Sequence, residues 1–263
     1  GLWGAVNAAD VAAENNTDLS ILLVSRDDCL IHRPRMYECD PDSLLVPLRP
    51  LLDPVGVGFL KGDAVSIDAD AQVAGIATDT GLRQIGYRRL VLATGSALAN
   101  LPVPGVAEHS FNIDSFTGAK ALDDHLKTLK GRFDDPAART VVVVGAGMTG
   151  IEIATEMRIR LAQHLGQEDA ARARVILVEQ AATVGPQFGD SPRPVIEEAL
   201  GQAGVETMLE TSLAEVTADS ARLTNGQTIP ARTVIITVGM RASSLTEQID
   251  AQRDDLGRLH VDD

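Results

Sequence analysis

The sequence predicts an α/β fold built from two strand–glycine–helix units, and three stretches carry that prediction. One is RTVVVVGAGMTGIEIATE (139–156), four consecutive valines running into a glycine-rich turn and then an apolar helical repeat. Another is the opening GLWGAVNAAD, a helical pattern that starts at once, followed by the strand-like LSILLVSRDD (19–28). The third is VSIDADAQVAGIATDTGLRQIGY (65–87), with the alternation and turn glycines of an antiparallel meander.

Val141 to Val144 suit a strand buried on both faces. Gly145, Gly147 and Gly150 then complete GxGxxG where strand becomes helix. Gly145 permits the tight turn, Gly147 lets a diphosphate approach the backbone, and Gly150 lets helix and strand pack closely. The free N–H groups and dipole of the helix start complete an anion site. Ile151, Ala154, Met157, Leu161 and Leu165 share the helix's apolar face. RVILVE follows, a second buried strand ending in Glu179, whose carboxylate accepts from a ribose 2′-hydroxyl and repels a 2′-phosphate. The next residues, QAATVG, contain no Lys or Arg, so NAD(H) is favoured over NADP(H). Glu179 comes 29 residues after Gly150, a long spacing that requires a long helix plus a turn at GQEDAAR. Together strand, glycines, helix, strand and terminal acid specify a Rossmann-like dinucleotide unit.

The same logic applies to the opening. Helix, then the buried strand Ile21 to Val24, is the second half of such a unit, and Gly1 stands where its third glycine would. The expectation is a chain whose first strand and first two glycines are missing. Before the central motif, GYRRLVLATGSALANLPVPG (86–105) is expected to hold a short buried strand ending in ATGS and then a proline-rich crossover. DSFTGAKALDDHLKTLK reads as a helix with Phe116, Ala119, Leu122, Leu126 and Leu129 on one face. VETMLE, segments around AEVTADSARLTNGQTI, and TVIITVG supply later strands.

Composition excludes several function classes. A net charge of −14 argues against nucleic-acid binding and against docking on an anionic membrane. No apolar run approaches the ~18 residues that span a bilayer. Two cysteines make no disulfide framework and point to a reducing compartment, so a soluble cytoplasmic chain is expected. His109, His125, His164 and His260 lack ligand spacing, so no metal site is expected. The acidic doublets Asp27-Asp28, Asp123-Asp124, Asp134-Asp135 and Asp254-Asp255 read as solvated turn or helix-face charges.

The order helix, strand, meander, ATGS and complete GxGxxG unit resembles the two-dinucleotide-domain flavoprotein oxidoreductases, with their glutathione-reductase-like architecture. GLWGA, VSRDDCLIHRPRMYE, GMTGIEIATE and VIITVGMRASSL (234–245) make the chain similar to type II NADH dehydrogenases (NADH:quinone oxidoreductases). The resemblance implies two Rossmann-like domains, one for FAD and one for NAD(P)H, with the FAD domain incomplete at both ends. It implies an FAD domain over 1–106, an NAD(H) domain over 107–246, and a return segment, 247–263, toward the FAD domain.

Residue roles follow from the resemblance. Gly1 would face the FAD diphosphate, and Ala64 and Val65 would offer backbone groups to the adenine edge. Thr94 and Gly95 would line the flavin cavity, and the segment from His32 to Tyr37 would lie near the isoalloxazine ring. The family's acid for the FAD adenosine ribose is replaced here by Ser25 followed by Arg26. Gly239 would end the strand beside the nicotinamide. Glu152 corresponds to a glutamate at the nicotinamide–flavin contact, although a solvated carboxylate at a helix start fits its position as well. Cys29 and Cys39, ten apart in a stretch that reads as loop, lack the CxxxxC of dithiol reductases. Electrons from NADH through FAD would therefore pass to a quinone-like acceptor. A ferredoxin or rubredoxin reductase, which would need a basic docking face, and a non-catalytic NADH-sensing module are the alternatives. Homodimerisation and peripheral membrane contact at the inner face of the cell membrane, through a region after residue 263, are left open.

Overall fold

The computed structural model describes residues 1–98 and 101–261. Two compact units divide the chain: the first comprises 1–31, 45–97 and 240–263, the second 32–44 and 98–239. The chain passes between the units at 97/98 and 239/240, and 32–44 goes with the second unit.

In the first unit, α1 (Leu2–Glu14) starts at Gly1 as its N-cap. Its buried side is Leu2 with half-buried Ala5, Val6 and Ala9, while Trp3 and Val11 face solvent. Strand β1 (Leu22–Ser25) follows, then the hairpin of β2 (Cys29–Ile31) and β3 (Leu45–Pro47). After α2 (Arg49–Leu52), β4 (Gly58–Lys61) lies parallel to β1, pairing Ser25 with Lys61. Leu2, Leu48, Leu52 and Val57 form the core between these pieces. The predicted meander is present as β5 (Asp63–Asp68), β6 (Val73–Thr78) and β7 (Gly81–Gly86), paired antiparallel in that order. β8 (Ser96–Leu98) ends the stretch.

Two expectations for this unit need correction. The segment before ATGS is not a buried strand: 90–95 carries no strand pairing, and Val91 is 80% exposed. A strand is held by a neighbour's ladder, and none of the described strands lies along it. For the same reason β1, in a sheet of two, is only half-buried, with Leu22 exposed. Residues 99 and 100 of the crossover lie outside the described residues.

The second unit opens with α3 (Val106–His109) and α4 (Phe116–Thr128), which buries Ala119, Leu122 and Leu126 as the sequence pattern requires. Ser115 caps α4, accepting from the Gly118 N–H. The fully buried β9 (Thr140–Val144) leads into α5 (Met148–Leu165). The expected turn at GQEDAAR is instead a second helix, α6 (Gln167–Arg172). Gly166 at φ +98 breaks the two apart, a conformation L side chains disfavour. The 18-residue α5 plus α6 thus absorbs the long spacing to Glu179, which directly follows β10 (Arg174–Val178). Then come α7 (Arg193–Gln202), β11 (Val205–Met208), the antiparallel β12 (Leu213–Val216), β13 (Ser220–Leu223) and β14 (Thr228–Pro230), and β15 (Thr233–Ile236). The parallel sheet runs β11-β10-β9-β15. Strand order reverses at β9, so the crevice beyond its C-terminal end is the place such sheets bind ligands. Val142, Val144, Ile176 and Val178 pack against Leu213, Ala221, Leu223 and Ile229 of the antiparallel sheet. The chain returns to the first unit with β16 (Met240–Ala242), which pairs with β8.

Candidate dinucleotide sites

The GxGxxG turn sits at the reversal point of the parallel sheet. Gly145 adopts φ +104, and a Cβ there would fall 2.2 Å from Val238 Cγ1. A Cβ on Gly150 would fall 1.8 Å from the Gly145 carbonyl oxygen, so helix and turn touch backbone to backbone. A Cβ on Gly147 would meet only Gln187 Nε2, at 3.5 Å, which leaves that side open for a ligand to approach. Gly147 is the N-cap of α5 and offers no side-chain cap. The first-turn N–H groups are thus free to serve an anion.

Glu179 is buried at the edge of this turn. One carboxylate oxygen accepts from the Ala146 N–H at 2.7 Å, the other from the Ala181 N–H at 2.9 Å. A carboxylate has about four acceptor positions, so two remain for donors from a ligand. Thr237 Oγ1 donates to the carbonyls of Val144 (2.8 Å) and Gly145 (3.0 Å), bracing the turn from β15's end. The Gly185 N–H donates to the Ala146 carbonyl and brings the turn carrying Gln187 over the glycines. Sequence reading missed Thr237 and Gln187; neither belongs to a spaced motif, and only the folded turn brings them to the glycines. One turn into α5, Glu152 is half-buried, and burial raises its carboxyl above the usual range. Gly239 adopts φ +86 after β15.

The first unit holds a separate polar cavity of about 290 Å³. Arg26, Asp63, Ala64, Val65 and Thr94 line it, with Ser243, Ser244 and Leu245 opposite. Four residues picked from sequence (Arg26, Ala64, Val65 and Thr94) therefore meet in one place. Ser25 is not in its walls; its carbonyl instead accepts the Gly62 N–H. Gly1 caps α1 without a side-chain bond, and a Cβ on it would come within 3.4 Å of Ala93 Cβ. Gly95, at φ +66, accepts from the Ser243 N–H through its carbonyl.

Other candidates take different positions. Arg33 to Arg35 form a short 3₁₀ turn, with Arg33 paired to Asp114. Cys29 lies in β2 rather than a loop, and both cysteines are free thiols. Burial pushes the Cys39 thiol up to about 11, and burial with the neighbouring Asp28 raises Cys29. Asp123 is not a solvated helix charge: it is buried and faces Lys127 (2.9 Å), His164 (2.7 Å) and Arg160 (3.7 Å). Burial acts to raise its carboxyl, but hydrogen bonds from Lys127 and His164 outweigh it and hold Asp123 below the usual carboxylate range. Among the described residues no group of three or more His, Cys, Asp or Glu is placed to hold a metal. No described helix is long and apolar enough to cross a membrane.

With this geometry in place, the profile of the pyridine nucleotide-disulphide oxidoreductases matches residues 1–263. The chain belongs to that family. It is 42% identical over 266 residues to an NADH dehydrogenase-like protein of Mycobacterium tuberculosis, covering 100% of this chain and 66% of the relative. A demethylphylloquinone reductase of Synechocystis is 24% identical over 99% of this chain and 64% of its own length. A type II NADH:quinone oxidoreductase of Staphylococcus epidermidis is 26% identical over 83% of this chain and 56% of its own. The chain thus spans two thirds or less of the length of these relatives. Among solved structures, a sulfide:quinone oxidoreductase of Aquifex aeolicus shares the fold at a TM-score of 0.74 and 20% identity, over 94% of this chain and 59% of that one. A ferredoxin reductase of Rhodopseudomonas palustris does so at 0.74 and 22%, over 94% and 58%. The fold is therefore the α/β, Rossmann-type fold of FAD- and NAD-dependent oxidoreductases. Within a family named for a disulphide, this chain's two thiols are both free and both raised.

Proposed function

We propose that the chain carries the FAD- and NADH-binding units of an NADH dehydrogenase that delivers electrons to a quinone-like acceptor. The observation that carries this reading is Glu179, buried against the GxGxxG turn with acceptor positions to spare. An anionic carboxylate at that edge suits a ribose diol and disfavours a 2′-phosphate. Gly147 and the uncapped start of α5 suit the NADH diphosphate, and Gln187 and Thr237 frame it. In the first unit, the polar cavity fits the adenosine half of FAD: backbone of Ala64 and Val65 for the adenine and the serines for hydroxyls, with Thr94 on the wall that leads toward the flavin in this reading. Gly1 at the start of α1 and Gly95 suit the FAD diphosphate region. When bound, FAD supplies the acceptor for hydride from NADH and the donor to the quinone. Glu152, with its raised carboxyl, stands on α5 at the nicotinamide side in this reading.

The relatives named as quinone reductases support the acceptor, and the raised thiols weigh against a dithiol relay. A net charge of −14 weighs against a ferredoxin partner, which needs a basic docking face. A place in the cytoplasm or at the inner face of the cell membrane, where such an acceptor is met, belongs to the same proposal. Stopped-flow spectroscopy of the native flavin-loaded protein tests it. NADH should bleach flavin absorbance, and a soluble quinone should restore it. Bleaching without recovery on quinone but with recovery on ferredoxin would replace the acceptor, and no bleaching would end the enzymatic reading.

A further inference from the structure

The position that ends β1 normally presents an acid to a bound adenosine ribose, and here it is Ser25. Ser25 does not line the cavity beside it, whereas Asp63 does. From this we infer that Asp63 is the carboxylate that receives the adenosine ribose hydroxyls of FAD. The inference rests on the reading of the first unit as the FAD site.

Backbone geometry brings Asp63 there. Ser25 and Lys61 are partners in the parallel β1–β4 pair, and the Ser25 carbonyl accepts the Gly62 N–H at 2.9 Å. Asp63 therefore lies two residues past the Ser25–Lys61 pair, just beyond the C-terminal edge of β1. Gly62 has no room for a side chain. A Cβ on it would fall 2.6 Å from Ile76 Cγ2 and 2.8 Å from the Ala77 carbonyl oxygen of β6. The chain is thus pressed against the meander as it turns, which fixes where the Asp63 side chain departs.

The side chain is also poised for a ligand. Arg26 Nη2 donates to Asp63 Oδ1 at 3.2 Å, and among the described residues no other hydrogen bond engages that carboxylate. Asp63 remains half exposed, with its second oxygen available, in the same wall as Ala64 and Val65. A vicinal diol brings two O–H donors, and a carboxylate is an acceptor with positions for both. Arg26 orients the carboxylate, so in this reading the acid has moved from the end of β1 to the start of β5. A volume of about 290 Å³ suits one nucleoside, at the small end of ligand pockets.

The test is flavin binding by the native protein after removal of its cofactor, read by flavin fluorescence. FAD is compared with an FAD analogue lacking the adenosine ribose hydroxyls. Wild type should prefer FAD by about tenfold, the size of a charge-assisted pair of hydrogen bonds. Asp63→Ala should bind both flavins alike, near the wild-type affinity for the analogue, and Ser25→Asp added to it should restore preference for FAD. Ser25→Ala alone should change nothing. A carboxylate that merely neutralises Arg26 would lower stability without changing this preference, so undiminished discrimination in Asp63→Ala overturns the inference while FAD binding stands. A wild type that takes up neither flavin overturns the FAD reading of the unit, and the inference with it.

Discussion

Glu179 does two jobs at once, and its replacement should separate them. Its carboxylate oxygens hold the Ala146 and Ala181 N–H groups, and the proposal adds ribose hydroxyls to the same atoms. Glu179→Ala strands two backbone donors as well as the ribose, and each effect is on the order of 1–3 kcal/mol. We expect a raised NADH KM, with kcat/KM for NADH falling at least tenfold. Glu179→Arg should lose the backbone bonds equally but attract the 2′-phosphate, so the NADPH-to-NADH ratio rises in Arg and not in Ala. Steady-state kcat/KM for both nucleotides in the three proteins decides it; an unchanged ratio across the series removes the ribose role and leaves Glu179 as a brace for the glycine turn.

The pairing of α4 with α5 buries charge between helices. Arg160 is fully buried, and among the described residues its guanidinium nitrogens make no hydrogen bond; Asp123 Oδ1 lies 3.7 Å from Nη2. Removing Asp123 takes away the carboxylate paired with that buried cation, and breaking such a buried pair costs about 3–5 kcal/mol. Asp123→Ala should therefore unfold at markedly lower urea concentration than wild type at pH 7. The pH dependence has a definite sign. Because the folded carboxyl is held below its usual value, its stabilising share is present above the unfolded value, about 3.9. That share fades as pH falls through the folded value. The stability gap between wild type and Asp123→Asn should hold from pH 7 to 5 and narrow below about 4. Urea melts across that range would contradict the arrangement if the gap were constant to pH 3.

At the scale of the molecule, cofactor binding and folding are linked. Residues 98–239 enclose a four-stranded parallel sheet, and the crevice proposed for the dinucleotide is built by β9, α5 and Glu179 together. A ligand that binds only the folded unit stabilises it by about 2.7 kcal/mol at a hundredfold excess over Kd. For a unit of this size that raises Tm by roughly 5–10 °C. Calorimetry of the native protein with NADH at that excess should show such a rise, with a smaller one for NADPH. Absence of any rise with NADH would argue that the crevice does not take the dinucleotide.

The sequence by itself determined the repeating logic of strand, glycine turn and helix. Four valines, GxGxxG and the acid after RVILV are local patterns, and each constrains its own backbone through sterics and burial. The meander was equally legible, since alternation and turn glycines act within a few residues. The LVLATGS stretch misled, because an apolar β-branched run states a preference for pairing and does not supply the neighbour. GQEDAAR carries a turn signal in sequence because its helix is short and depends on Gly166 for its start. Asp123 looked like surface charge because its partners, Arg160 and His164, are some forty residues away. Tertiary structure alone decided that Asp63, and not Ser25, faces the cavity. That outcome depends on the register of β1 against β4 and on the turn at Gly62, and neither is written in any single stretch of sequence.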